Sequence, residues 1–214
     1  MIKVALIDYK LGNIRSIINA FKHFDIELIL TNDSDEILSS DAIVLPGVGA
    51  FGTAMKNLKE LNLIETIKLF HSKDKPILGI CLGMQILFEK SQESPNVEGL
   101  SLIQGDIKKL DVSAKLPHIG WNSLLKDDIK WQNTIFENIE EKQKCYFVHS
   151  FVAVVKNQSD ILATTTYENK KFCCAVKKGN LYGCQFHPEK SAETGLKIIK
   201  SFINIVEESK NVRS

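Results

Sequence analysis

The chain opens by alternating short apolar runs with amphipathic stretches. "IKVALID" (2–8) is short and rich in β-branched residues, the pattern of a strand. In "LGNIRSIINAFKHF" (11–24), Ile14, Ile17, Ile18 and Phe21 recur at helical spacing after Gly12 and Asn13. "IELILT" (26–31) is strand-like, and "DAIVLPG" (41–47) is a buried strand stopped by Pro46 and Gly47. Helical spacing returns over 55–73, with a break near Asn62. "KPILGI" (75–80) predicts another buried strand and "MQILFEK" (84–90) a helix. Continuous apolar strands between amphipathic helices imply a parallel sheet covered on both faces.

From about residue 100 the pattern changes to strand candidates separated by turns. They are "LSLIQGDIKKL", "KCYFVHSFVAVV", "DILATTTYE", "KFCCAVKKG" and "LYGCQFH". "KKGN" (177–180) has the composition of a hairpin connection. Leu196, Ile199, Phe202, Ile203 and Val206 predict a closing helix over 192–208. No repeat or low-complexity linker divides the chain. The expectation is one α/β domain over 1–214: a mostly parallel central sheet, helices on both faces, and an antiparallel portion in the second half.

Composition narrows the function. Lys and Arg number 27 against 26 Asp and Glu, so the clustered positive excess that binds nucleic acid is missing. No apolar stretch approaches the roughly 20 residues that span a bilayer. "MIKVALIDYK" lacks the pattern of a secretion signal. The cysteines (81, 145, 173, 174, 184) are odd in number and have no CxxC spacing, so they are expected as reduced thiols of a cytoplasmic protein. His23, His71, His118, His149 and His187 form no pair at ligand spacing, and no metal is expected.

Three short stretches carry the candidate chemistry. "GICLGMQ" (79–85) sets Cys81 between Gly79 and Gly83, after a strand and before a helix-like segment. That is the form of a nucleophile elbow, whose crowded backbone needs small neighbours. The thiol would sit at a helix N-terminus, where thiolate is favoured, with the Leu82 N–H placed for an oxyanion. A buried core thiol fits the heptapeptide equally well. "CQFHPEKS" (184–191) offers a base, His187, and an orienting group, Glu189. If Pro188 keeps the segment extended, the two side chains project the same way. A strand-end His-Pro turn with a solvated Glu is the plainer reading, weakened because Cys81 also ends a strand. "LPGVGAFG" (45–52) places Gly47, Gly49 and Gly52 after a strand, where backbone N–H groups can turn toward an anion. It lacks a P-loop lysine and a GxGxxG pattern.

In this order, "LPGVGAF", "GICLGMQ" and "QFHPEKS" resemble the oxyanion loop, nucleophile elbow and His-x-Glu pair of class I glutamine amidotransferases. "DYKLGNIRS", "PHIGWN", "YFVHSF" and "HPEKSAETG" resemble the branch that supplies glutaminase subunits to imidazole glycerol phosphate synthases. The resemblance implies that Cys81 attacks the glutamine amide, that His187 moves the proton and that Glu189 orients His187. It implies an oxyanion site at Val48, Gly49 and Leu82, and a glutamine pocket lined by Gln85, His149 and Ser150. It further implies that no cofactor is needed. Ammonia would pass through a channel to a β/α-barrel synthase subunit, in a heterodimer of histidine biosynthesis, with Asn13, Trp121 and Lys190 on the shared face.

Other readings remain at this level. Lys10 and Leu11 before "GN", and the loosely matching "LIQGDIKKL", leave room for a paralogue feeding ammonia to a surface-glycan amino- or amidino-sugar synthase. A stand-alone cysteine hydrolase would need no partner. A non-catalytic interaction subunit need not keep Cys81, His187 and Glu189 together. By residue type alone, Trp121 could be a core aromatic and Lys190 a solvated charge.

Overall fold

The computed structural model describes residues 1–126 and 129–213. Its elements run β1 (Lys3–Ile7), α1 (Ile14–Phe21), β2 (Glu27–Thr31), α2 (Ser34–Ser39), β3 (Ala42–Leu45), α3 (Phe51–Glu60), α4 (Leu63–Ser72) and β4 (Ile77–Ile80). They continue with α5 (Leu82–Gln85), β5 (Lys90–Ser91), β6 (Gly105–Lys109), β7 (His118–Ser123), β8 (Lys144–His149) and β9 (Phe151–Val155). The last are β10 (Ile161–Tyr167), β11 (Lys170–Lys178), β12 (Leu181–Cys184) and α6 (Ala192–Arg213).

Strands β2, β1, β3, β4 and β12 lie side by side, all parallel. Their side chains alternate between two cores. Ala5, Ile7, Ile43 and Leu45 pack with Ile37, Phe51, Leu58 and Phe70 of α2, α3 and α4. Val4, Leu6, Val44 and Ile80 pack with Ile17 and Phe21 of α1 and with Ile198 and Phe202 of α6. Helices therefore cover both faces, which explains the uninterrupted apolar runs. Beyond β12 the sheet turns antiparallel through β11, β9 and β6, with β10 also on β11. Strands β7 and β8 form a separate antiparallel pair.

Several boundaries differ from the expected ones. The amphipathic stretch over 55–73 begins earlier, at Phe51, and breaks at Asn62, which sits in the left-handed region at φ 57°. The helix expected over 84–90 is only the single turn Leu82–Gln85. Ile86, Leu87 and Phe88 are wholly buried, so that run is apolar on every side rather than on one helical face. "KCYFVHSFVAVV" divides at Ser150 into β8 and β9, which belong to different sheets. Helix α2 has only six residues, too few for a periodic signal; the Asp33 carboxylate caps it by accepting the Glu36 N–H at 2.9 Å. Over 100–110 only Gly105–Lys109 is strand.

Candidate active site

Three adjacent parallel strands set the site. Leu45 of β3 pairs with Gly79 of β4, and Ile80 of β4 pairs with Cys184 of β12. The residues that follow these strands emerge together at one end of the sheet: Pro46–Gly49, then Cys81, then Gln185–His187. Topology thus joins three motifs far apart in the chain, at the carboxyl ends where open α/β sheets place their sites.

Cys81 has φ 53° and ψ −105°, a conformation that non-glycine residues rarely adopt and that costs about 1–3 kcal/mol. The turn is held by the Cys81 N–H, which donates to the Cys184 carbonyl at 2.7 Å. Its glycines are sterically required. A Cβ on Gly83 would lie 1.9 Å from the Leu45 carbonyl oxygen, and one on Gly79 would lie 2.6 Å from that of Gly83. The chain here is a nucleophile elbow. Because α5 has one turn, it offers Cys81 less dipole than a helix through Lys90 would.

His187 stands opposite. Its Nδ1–H donates to Glu189 Oε1 at 2.8 Å, and the two side chains are 2% and 1% exposed. Pro188 does not keep this segment extended; Pro188–Lys190 is a 3₁₀ turn, and the pair meets across that turn. The turn is pinned by the Ser191 hydroxyl, which donates to the His187 carbonyl at 2.7 Å. His187 Nε2 is buried and makes no hydrogen bond of full geometry. Burial opposes charge on the ring, but the side chains of Cys81 and Glu189 outweigh it and raise the His187 pKa from 6.5 to about 10. Thiol, imidazole and carboxylate therefore form one coupled set.

The oxyanion candidates lie against the elbow. Gly49 has φ 133°, open to glycine only, and Val48 is exposed. The Leu82 N–H donates to the Gly47 carbonyl at 3.4 Å, a long bond. Below the loop, the Tyr9 hydroxyl donates to the Pro46 carbonyl. Burial, reinforced by Cys81, pushes the Tyr9 pKa up, so it remains a neutral donor.

The candidate pocket residues are linked to one another. Gln85 Nε2 donates to the Phe151 carbonyl at 3.3 Å and to Gln185 Oε1 at 3.0 Å. His149 Nδ1 donates to the same Phe151 carbonyl at 2.9 Å, and its Nε2 lies 3.1 Å from His118 Nδ1. Burial, with His118 adding to it, lowers the His149 pKa to about 3. Ser150 is half-buried, and its carbonyl accepts the Leu110 N–H at 2.9 Å.

The three candidate interface residues are distinct in setting. Asn13 precedes α1 and is half-buried. Trp121 is 51% exposed, so it is not a core aromatic, and Ile119 on the same face of β7 is 60% exposed. Lys190 is exposed, with Nζ 6.0 Å from the centre of the Tyr146 ring. Tyr146 in turn meets Trp121 edge-on at 6.1 Å. Lys190, Tyr146 and Trp121 thus form one strip beside the His187 turn. Sequence reasoning did not single out Tyr146, His118 or Gln185. Gln185 did leave a signal: it is a polar residue set between Cys184 and Phe186 at the end of an apolar run, and it is fully buried.

An α/β fold with a cysteine elbow and a buried His-Glu pair defines a thiol-dependent acyl-transfer site. Residues 5–205 match the family model for glutamine amidotransferase class-I, and the chain belongs to that family. Within it, the chain is 46% identical to the imidazole glycerol phosphate synthase subunit HisH 1 of Legionella pneumophila (strain Lens), over 96% of this chain and 100% of that protein. It is also 46% identical to the HisH subunit of Bacillus mycoides (strain KBAB4), over 95% of each chain. The HisH subunit of Lactococcus lactis subsp. lactis (strain IL1403) is 43% identical, over 95% of this chain and 98% of that one. Solved structures agree on the fold. A glutamine amidotransferase crystal structure superposes with a TM-score of 0.75 at 16% identity, covering 95% of this chain and 98% of that one. PurLQS from Thermotoga maritima gives a TM-score of 0.73 at 22% identity, with the same coverage.

Proposed function

We propose that the chain is the glutaminase subunit of an imidazole glycerol phosphate synthase, acting in the cytoplasm with a β/α-barrel partner in histidine biosynthesis. The observation that carries the reading is the buried Cys81, His187 and Glu189 set on adjacent strand ends, in a chain similar over its length to HisH subunits. His187 Nε2 accepts the Cys81 thiol proton, and the sulfur attacks the side-chain amide carbon of L-glutamine. The resulting oxyanion takes the N–H groups of Leu82 and the Val48–Gly49 loop, replacing the long Leu82 bond to Gly47. Collapse breaks the C–N bond; His187 returns the proton to the leaving nitrogen, releasing ammonia and leaving a γ-glutamyl thioester. Water, deprotonated by His187, then attacks the thioester, giving glutamate and the free thiol.

Gln85, His149 and Ser150 border the glutamine pocket in this reading. Asn13, Trp121 and Lys190 face the barrel, into which ammonia passes before water can protonate it. The chemistry needs no metal or organic cofactor. The test is glutamine hydrolysis by the purified chain, alone and with the barrel subunit and its nucleotide ligand. Strong stimulation in the complex is expected. Full activity of the isolated chain, unchanged by the barrel, would point to a stand-alone hydrolase.

A further inference from the structure

Gln185 is fully buried one residue after β12, next to the elbow. Its Nε2 lies 3.7 Å from Cys81 Sγ, within hydrogen-bonding reach of sulfur. We propose that Gln185 is a further catalytic residue, whose amide donates a hydrogen bond to the Cys81 sulfur and stabilises the thiolate. The proposal rests on the glutaminase reading above.

The direction of that amide follows from one fixed acceptor. A backbone carbonyl can only accept, so the group that Gln85 aims at Phe151 is its NH₂. The same Gln85 nitrogen lies 3.0 Å from Gln185, which must therefore present its oxygen. The nitrogen of Gln185 is then left for the sulfur. His149 occupies the same carbonyl with Nδ1–H, so its Nε2 accepts from His118 Nδ1. His149 stays neutral because burial lowers its pKa to about 3, so its Nε2 remains an acceptor across the neutral range. Two sets of donors thus meet at the Phe151 carbonyl: His149, held by His118, on one side, and on the other Gln85, which also donates to Gln185, whose own amide reaches the nucleophile. The thiol reaches 3.9 Å from the Val148 carbonyl, an acceptor that can hold its proton but offers thiolate nothing. A donor at sulfur favours the anion twice: before attack, and again when thiolate leaves the thioester.

Among the described residues, His187 and Tyr9 respond to Cys81, Glu189 is coupled to it through His187, and all three remain in the test variants. The other four thiols are buried. Burial lifts Cys145 and Cys173 to about 12, and Cys174 and Cys184 well above the ordinary thiol value. Mapping the label to its residue separates Cys81 from these four.

The experiment measures iodoacetamide alkylation of Cys81 against pH in the complex with the barrel subunit, with the labelled residue mapped by mass spectrometry. Gln185→Met keeps the length of the side chain and removes the donor. A hydrogen bond to a charged group is lost, so alkylation and glutamine turnover near pH 7 are expected to fall about tenfold. Alkylation should recover as pH is raised, which a packing defect would not produce. Gln85→Met leaves Gln185 in place but unaligned, and a smaller shift in the same direction is expected. Ammonia-dependent synthesis should stay intact in both. If Gln185→Met does not assemble, the Gln85→Met titration decides alone. An unshifted titration with wild-type glutamine turnover overturns the proposal. A wild-type complex that turns over no glutamine overturns the glutaminase reading instead.

Discussion

Replacing Glu189 by Gln separates the two things that this carboxylate does for His187. Gln is nearly isosteric, and its oxygen can still accept the Nδ1–H now held at 2.8 Å, so ring orientation is kept. What is lost is the negative charge. A hydrogen bond to a charged group contributes about 1.5–3 kcal/mol and a neutral one about 0.5–1.5 kcal/mol, so the change is about 1–1.5 kcal/mol, or about one pKa unit. Both side chains are almost wholly buried, so water does not screen that difference away. Burial opposes the imidazolium, while Cys81 and Glu189 together raise its pKa to about 10. Loss of the charge should bring that value down toward about 9. In the complex, the alkaline limb of the glutaminase pH–rate profile is expected to move down by about one unit, with a much smaller change in turnover near pH 7, where the ring stays protonated in both proteins. His187→Ala, which removes the base itself, should cost nearly as much as loss of the nucleophile. The assay is steady-state ammonia release across pH 6–11 for wild type and both variants. An alkaline limb that does not move in Glu189→Gln, or equal small losses in both variants, would refute this reasoning.

Lys190 adjoins Glu189, and its removal should leave the complex assembled on gel filtration, since an exposed pair contributes only about 0–1 kcal/mol. Partner-stimulated glutaminase activity should fall, because a small displacement at a catalytic group can cost about a hundredfold; ammonia-dependent synthesis should change little. Gly83→Ala drives a Cβ into the Leu45 carbonyl, and urea denaturation should show a loss of about 3 kcal/mol or more, or failure to fold. His149, neutral in the fold with a pKa of about 3 against 6.5 when free, contributes stability that is complete above pH 6.5. Below that, stability should fall with a slope reaching about 1.4 kcal/mol per pH unit, a slope that His149→Gln reduces; His187 has the opposite sign, losing its contribution as pH rises from 6.5 through about 10.

The parallel half of the fold was legible because its strands are buried on both faces and separated by one-sided helices, as in β1, α1 and β3. The run after Cys81 misled, because complete burial of Ile86, Leu87 and Phe88 reflects crowding around the elbow and carries no helical period. Ser150 hid a change of sheet within one apolar run, since strand alternation records which face is buried but not which neighbour buries it. At the site, glycine spacing exposed the elbow, and the steric limits at Gly79 and Gly83 show why. The His187–Glu189 pair was anticipated for an incomplete reason: the two meet through a 3₁₀ turn rather than along an extended segment. Gln185 and His118 escaped because their roles depend on partners distant in the chain, which a linear pattern does not display.

The central claim, that Cys81 releases ammonia from glutamine for use by a separate synthase subunit, is tested most directly with the Cys81→Ala chain assembled with the barrel. Synthesis by that complex is measured twice on one preparation, with glutamine and with ammonium salt as nitrogen source. The account predicts no synthesis from glutamine and synthesis at the wild-type level from ammonium. Continued synthesis from glutamine would contradict it.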